Sequence, residues 1–406
     1  MRNFSNYIKF VLPIFVIFIV GCEKDDDHDD HAHDHNVVAP ETYEFTRNGS
    51  STVSFSGQTT RLSQSDELYG EFNSSAATVE SLTLMFAGDA NGSAGFSETS
   101  LNGTTKLIRD KTSASTLRGS AVTQSMFDAW ISEYVNDVVP NLASDASEGQ
   151  AGLWGGKYQF NSKGHEIDQL FFKGLIGAFN LDQIVNNYIH PNQLDSGDRI
   201  SNNDNGVLSD GKNYTDMEHK WDEGFGYLYG HVIDGVGEEL STAGTTPSGN
   251  GNLLMKYFKK TNEKDAYAGI AATVYDAFKL GRAAIVAKDY DLRDEQAKII
   301  KINLSKAVGV YALHYLSGAI ATLSDSSSDK RDAFHGLSEG YGFVYSLRFT
   351  RNTSTNAPHL PSAEITAFLS TLMEGNGFWD VTGATLDQIS DRIASAYGFT
   401  KEETVN

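Results

Sequence analysis

Two segments of the chain repeat one pattern of acidic and imidazole side chains. The pattern consists of Asp216, His219 and Glu223 and, 116 residues later, of Asp332, His335 and Glu339. Positions i, i+3 and i+7 share one face of a helix. Carboxylate and imidazole together suit iron, zinc or manganese, and ferritin-like bundles place acid and His one turn apart for this purpose. Each trio is therefore predicted to be half of a metal site, the alternative being a buried His that flanking carboxylates hold for packing.

Two further groups of residues could add metal ligands. His165 and Asp168 are spaced i, i+3 at the start of the helix predicted before the first copy. Near the N-terminus, among six aspartates, lie four more histidines: His28, His31, His33 and His35. A flexible chain of this composition can wrap a divalent metal without a preformed site. We predict that these four are accessory ligands, although an acidic solvated spacer explains the same composition.

Three stretches of the sequence carry a family resemblance. They read GHEIDQLFFKGLIGAF, GKNYTDMEHKWDEGFGYLYG and FHGLSEGYGFVYSLRF. With them the chain resembles, over roughly residues 42 to 400, a domain-of-unknown-function family of Bacteroidota lipoproteins. That family is distantly similar to imelysin-type proteins, which are all-helical, internally duplicated, exported or lipid-anchored, and associated with iron regulation. Of their GxHxxE motif only His165 corresponds, because Gly164 directly precedes the His and Asp168 stands in place of the Glu.

The elements that position these residues are mostly helices. Apolar residues recur with helical period near 165–190, 214–232, 265–288, 293–323 and 332–349, while Gly, Asn and Ser clusters near 195–213 and 324–330 predict loops. Glycines beside aromatic residues in both repeats favour close approach of helices. Alternation around Asn48-Gly49, between Tyr43 and Phe55, predicts one small hairpin. The predicted fold is all-α, an imelysin-like duplicated helical bundle with a small N-terminal β-hairpin and repeat halves near 122–232 and 265–349.

The N-terminus is typical of a bacterial lipoprotein. Arg2 and Lys9 precede an apolar run over 10–20, and Cys22 follows in a lipobox-like context. The run is too short for a spanning helix, which needs roughly 20 apolar residues. We predict a signal peptide over 1–21, a lipid anchor on Cys22, a disordered His- and Asp-rich stalk over 22–38, and a folded domain over 39–406.

Charge and location restrict the possible partners. The chain has 53 acidic and 32 basic residues, a formal charge of −21, which disfavours nucleic acid and anionic lipid surfaces as partners. Its single cysteine excludes a disulfide framework. The acidic residues after Cys22 resemble the sorting signal that directs Bacteroidota lipoproteins to the outer face of the outer membrane. We therefore expect a surface protein that touches the membrane through its lipid only.

Three classes of function fit these features. The leading one is a binding protein that captures a metal or metal complex, with iron favoured and zinc as the other candidate, for an outer-membrane uptake system such as a TonB-dependent receptor. The second is an imelysin-like metal-dependent peptidase, with Glu223 or Glu339 as general base beside a His-bound metal. The third, an adhesin or glycan-binding module, predicts exposed aromatic residues.

Overall fold

The computed structural model describes residues 36–113, 120–230 and 253–405. Cys22, the signal peptide, most of the stalk and the four stalk histidines lie outside the described residues. The first element is the predicted hairpin, in which strand β1 (Thr46–Arg47) pairs antiparallel with β2 (Ser50–Ser51). Asn48 and Gly49 both have positive φ, 54° and 79°, as a two-residue hairpin turn requires. The hairpin prediction is confirmed.

Nearly all the remaining regular structure is helical, as predicted. Before the first repeat helix the chain forms α1 (Ser56–Phe72), α2 (Val79–Ala87), α3 (Ser120–Glu133), β3 (Gly152–Trp154), β4 (Tyr158–Phe160), α4 (Ile167–Leu175), α5 (Pro191–Leu194) and α6 (Arg199–Asp204). From there on it forms α7 (Asp216–Tyr229), α8 (Leu253–Asn262), α9 (Ile270–Ala287), α10 (Tyr290–Ser324), α11 (Arg331–Ser346), α12 (Ser362–Met373), α13 (Gly383–Tyr397) and α14 (Lys401–Val405). The all-α prediction is confirmed.

Several elements were not predicted, among them a second hairpin and helix α6. Strands β3 and β4 form a second antiparallel hairpin, whose turn contains Gly155 and Gly156 at positive φ. Helix α6 lies inside the stretch 195–213 that the sequence predicts to be a loop. The side chain of Asn203 donates to the backbone oxygen of Ile285 at 2.8 Å, a long-range contact that fixes this short helix against α9. Tertiary contacts of this kind override local composition.

The centre of the fold is α4 and its continuation. The chain continues from α4 as a π-helix over Ile176–Tyr188, and every residue from Gly164 to Asn186 is buried. Helix α11 packs on α4 and on α10, and α10 also packs on α9 and α13. Among the described residues, α10 is the one helix long and apolar enough to cross a membrane, and 56% of its apolar window is buried. Its contacts with α8, α9, α11, α13 and α14 make it a core helix of the bundle.

The two repeat helices pack in corresponding ways. Helix α7 packs on the π-helical segment that precedes its copy of the motif, and α11 packs on α10. A Cβ atom at Gly226 would lie 2.4 Å from Cβ of Phe55, and one at Gly342 would lie 2.4 Å from Cβ of Lys173. Since real side chains do not approach this closely, the second glycine of each copy lets another segment lie directly against the helix.

Candidate functional site

Of the two histidines in the repeated motif, His335 is the one whose imidazole forms a hydrogen bond with a carboxylate. Its ring stacks on Tyr158, with centroids 4.6 Å apart, and its Nδ1 contacts a carboxylate oxygen of Glu166. Burial opposes protonation, but the hydrogen bond and charge of Glu166 raise the pKa of the imidazole. Nε2 of His335 has no hydrogen bond to any described residue, and the side chain is 31% exposed. Part of this imidazole is therefore accessible from solvent.

His219 occupies the same motif position in a different environment. Its ring stacks on Tyr214, also at 4.6 Å, but its Nδ1 lies 3.1 Å from the backbone oxygen of Ser54. Burial lowers the pKa of this imidazole. Nε2 lies 3.9 Å from a carboxylate oxygen of Glu223 that already accepts from Lys220 at 2.7 Å. An ammonium group thus stands beside the carboxylate that a metal would share with His219.

The repeated glutamates are neutralised by lysines. Glu339 accepts from Lys173 Nζ at 2.9 Å and from the hydroxyl of Tyr257 at 2.8 Å. Its burial favours the neutral acid, but the charge of Lys173 and these hydrogen bonds lower the pKa to about 2. Glu223 has Lys220 in the same role, and its pKa is also lowered, because the nearby charges outweigh its burial. A general base works best with a pKa near the operating pH, so neither carboxylate suits that task.

The repeated aspartates have surface partners. Asp216 forms an ion pair with Arg199. Asp332 is exposed and accepts a hydrogen bond from the hydroxyl of Tyr158 at 2.9 Å. Asp332 and His335 therefore lie beside the same tyrosine.

His165 lies in the core. Its ring is fully buried and meets Phe378 edge-on, with centroids 4.4 Å apart, and burial lowers its pKa to about 3. Asp168 is also buried and accepts from Gln169 Nε2 at 2.7 Å. Burial, together with the charge of Glu166, raises the pKa of Asp168 to about 7.

The clusters do not join into a site for a bare metal ion within the described residues. Across the three described ranges, no group of three or more His, Cys, Asp or Glu side chains is arranged to hold a metal. The three histidines His165, His219 and His335 contact different partners. Metal ligation by the eight predicted domain residues stays a prediction, and convergence of the clusters on one such site is not observed.

Sequence reasoning missed Glu166, although it stands next to His165. The spacing rules that singled out His165 and Asp168 apply within one helix, whereas Glu166 contacts His335, 169 residues further on. Lys173 was missed for the same reason, since its partner Glu339 lies on another helix. The only available signal was the presence of several ionisable residues in a segment that is otherwise apolar.

Comparison with known proteins identifies a family but no activity. A family model described as "Domain of unknown function (DUF4856)" matches residues 40–400, which include all three clusters. No curated protein and no solved structure matches the chain.

Proposed function

The chain belongs to the DUF4856 family, whose description states no activity, and we propose that it is a binding protein that holds a metal complex at His335. The observation that carries this proposal is the contact between His335 Nδ1 and the Glu166 carboxylate. Metal-binding histidines commonly use one ring nitrogen for a carboxylate, which fixes the tautomer and the ring orientation and raises ligand basicity. The other nitrogen then binds the metal.

The surroundings of His335 favour a complex over a bare ion. The side chain of His335 is partly exposed, and the exposed Asp332 lies one turn earlier on the same helix. One imidazole and one carboxylate are too few to hold an ion alone, but they suffice for a metal that arrives with ligands of its own. Iron and zinc both accept this pair of ligand types. A chelated metal is therefore the form that fits.

The proposal keeps the exported location predicted from the sequence. A lipid on Cys22 would tether the protein to the outer membrane of a Bacteroidota cell, and the stalk histidines would raise the metal concentration near the domain. A TonB-dependent receptor would take over the captured complex. We also propose that the chain is distantly related to imelysin-type proteins.

The state of the two carboxylates that could act as general base in a peptidase supports a binding function over a catalytic one. Glu223 and Glu339 are paired with lysines, and their pKa values are lowered. A carboxylate that is ionised and charge-paired at neutral pH is a weak general base.

Calorimetry with matched histidine variants tests the proposal. The full-length chain, with the four stalk histidines replaced by Ala, is titrated in detergent with ferric citrate and separately with Zn²⁺. His335→Ala should weaken binding of ferric citrate at least about ten-fold, and Glu166→Gln should weaken it by about ten- to a hundred-fold, the usual effect of losing an outer-shell partner. His219→Ala is the control, because it removes a tyrosine-stacked histidine at the same motif position, and it should leave the affinity unchanged.

Two results would contradict the proposal. One is unchanged affinity for ferric citrate in His335→Ala, with a melting temperature equal to that of the parent chain. The other is an equal loss in His219→Ala and His335→Ala, which would assign the effect to the folding of both repeats instead of to one site.

A further inference from the structure

A cavity of about 180 Å³ lies between α1, α8 and the junction of α4 with its π-helical continuation. Its lining consists of Ser65, Asp66, Tyr69, Phe172, Lys173, Ile176, Leu253, Lys256 and Tyr257. None of these residues belongs to the predicted metal clusters. A buried cavity of about 150 Å³ holds one benzene molecule, so this one has room for a single ring with a substituent.

One cation of the cavity lining, the exposed Lys256, is not held in an ion pair within the described residues, although the charge of Glu339 acts on it. The ammonium group of Lys173 is shared between Glu339 at 2.9 Å and the side-chain oxygen of Gln169 at 2.7 Å. Lys256, by contrast, forms no ion pair and no hydrogen bond with any residue of the described ranges. Partial burial and the positive charges of Lys173 and Lys260 lower its pKa. In a strongly acidic protein, this lysine is a position where an anion would be stabilised.

Three of the remaining lining residues are aromatic. Tyr69 and Phe172 meet edge-to-face, with ring centroids 5.0 Å apart and an angle of 84° between the planes. Tyr257 forms part of the α8 wall, where its hydroxyl is fixed by Glu339 at 2.8 Å. Mostly apolar walls with a few fixed polar groups are characteristic of small-molecule sites.

We propose that this cavity binds a small carboxylic acid that contains one ring. Its carboxylate would form an ion pair with Lys256, and its ring would pack against Tyr69 and Phe172. Two kinds of molecule share this chemistry, an aromatic acid and a sugar acid. Ser65 and Asp66 in the lining offer oxygen atoms that suit the hydroxyl groups of a sugar acid. The aromatic walls suit the flat ring of an aromatic acid and the C–H face of a sugar ring. The site is independent of the proposed metal complex.

Ligand-observed NMR on the full-length chain in detergent tests this site. Four probes are titrated in the presence of EDTA, so that metal binding cannot contribute: benzoate, its neutral counterpart benzyl alcohol, glucuronate, and its neutral counterpart glucose. At least one carboxylate should bind, and its neutral counterpart should bind at least about ten-fold more weakly, because a hydrogen bond to a charged group contributes that much. Binding of benzoate alone identifies an aromatic acid, and binding of glucuronate alone identifies a sugar acid.

Lys256→Gln should lower the affinity for the carboxylate that binds by at least about ten-fold. Lys298→Gln is the control, because it removes an exposed lysine charge on α10, outside the cavity lining, and should leave the affinity unchanged. Tyr69 is partly exposed. Tyr69→Ala should weaken binding, because the contact between the ligand ring and the tyrosine ring is lost. The inference is overturned if neither carboxylate binds at millimolar concentration, if the neutral probes bind equally well, or if Lys256→Gln binds like the parent chain.

Discussion

Replacing Asp168 by Asn should stabilise the protein above pH 7. Asp168 lies on α4 with 6% of its surface exposed. Burial, and then the charge of Glu166, raises the pKa of its carboxyl group from 3.8 to about 7. A carboxyl whose pKa is higher in the folded chain takes up a proton on folding. Its stabilising effect is therefore complete below pH 4 and is lost as the pH rises to about 7.

The magnitude follows from the size of the shift. The folded and unfolded pKa values differ by about 3 units, and each unit corresponds to about 1.36 kcal/mol. Ionised Asp168 therefore costs up to about 4 kcal/mol of unfolding free energy at pH 8. Asparagine is uncharged at every pH, so Asp168→Asn removes this cost. We expect the unfolding free energy of the variant to exceed that of the parent chain by about 2 kcal/mol at pH 5 and by about 4 kcal/mol at pH 8.

Urea unfolding at pH 5 and at pH 8 measures this gain. The quantity to compare is the difference in unfolding free energy between variant and parent at each pH, because other titrating groups cancel in it. Asp291→Asn serves as control, since this exposed residue in the first turn of α10 should give the same difference at both pH values. If Asp168→Asn also gives a difference that does not change with pH, Asp168 is ionised at little cost and the reasoning fails.

Two further predictions concern packing and charge in the core. Gly342→Ala should destabilise the protein by about 1–3 kcal/mol, because the new Cβ would lie 2.4 Å from a Cβ on α4. Gly318→Ala, on α10 with no neighbour within 4 Å, should stabilise by about 1 kcal/mol; similar urea midpoints for the two variants would contradict the close approach. Arg282→Met should cost about 3–5 kcal/mol, because this fully buried residue bridges Asp222 at 3.0 Å and Glu218 at 3.1 Å. An unchanged melting temperature in calorimetry would show that those carboxylates need no such partner.

The sequence predicted the long helices well. Helical periodicity over 265–288, 293–323 and 332–349 corresponds to α9, α10 and α11, which begin and end within a few residues of those limits. Helix α10 buries one stripe as far as Ser305 and is buried on every side from Ala307 to Leu313, so its periodicity is clear only in its first part. The first hairpin was predicted because Asn48-Gly49 requires one particular turn. Gly155-Gly156 gives a similar turn signal for the second hairpin, whose three-residue strands are no shorter than those of the first.

The candidate site could be predicted only in part. The repeated motif located His335, since spacing within one helix determines which side chains share a face. It could not show that Glu166 would contact His335, because this contact depends on which segment packs against α11. The ion pair of Lys220 with Glu223 lies within α7 at i, i+3, so the same spacing rule could have indicated it. The two copies of the motif therefore have the same residue types but different surroundings.

The π-helical segment over Ile176–Tyr188 also determines how the chain tolerates changes in length. It lies in the stretch from Gly164 to Asn186 in which every residue is buried. Removing one residue from a helix rotates everything beyond it by about 100°, because a turn contains 3.6 residues. Here no exposed face exists that could absorb such a rotation. Insertions and deletions in this gene should therefore accumulate in surface loops such as 324–330, while the central helix keeps a constant length.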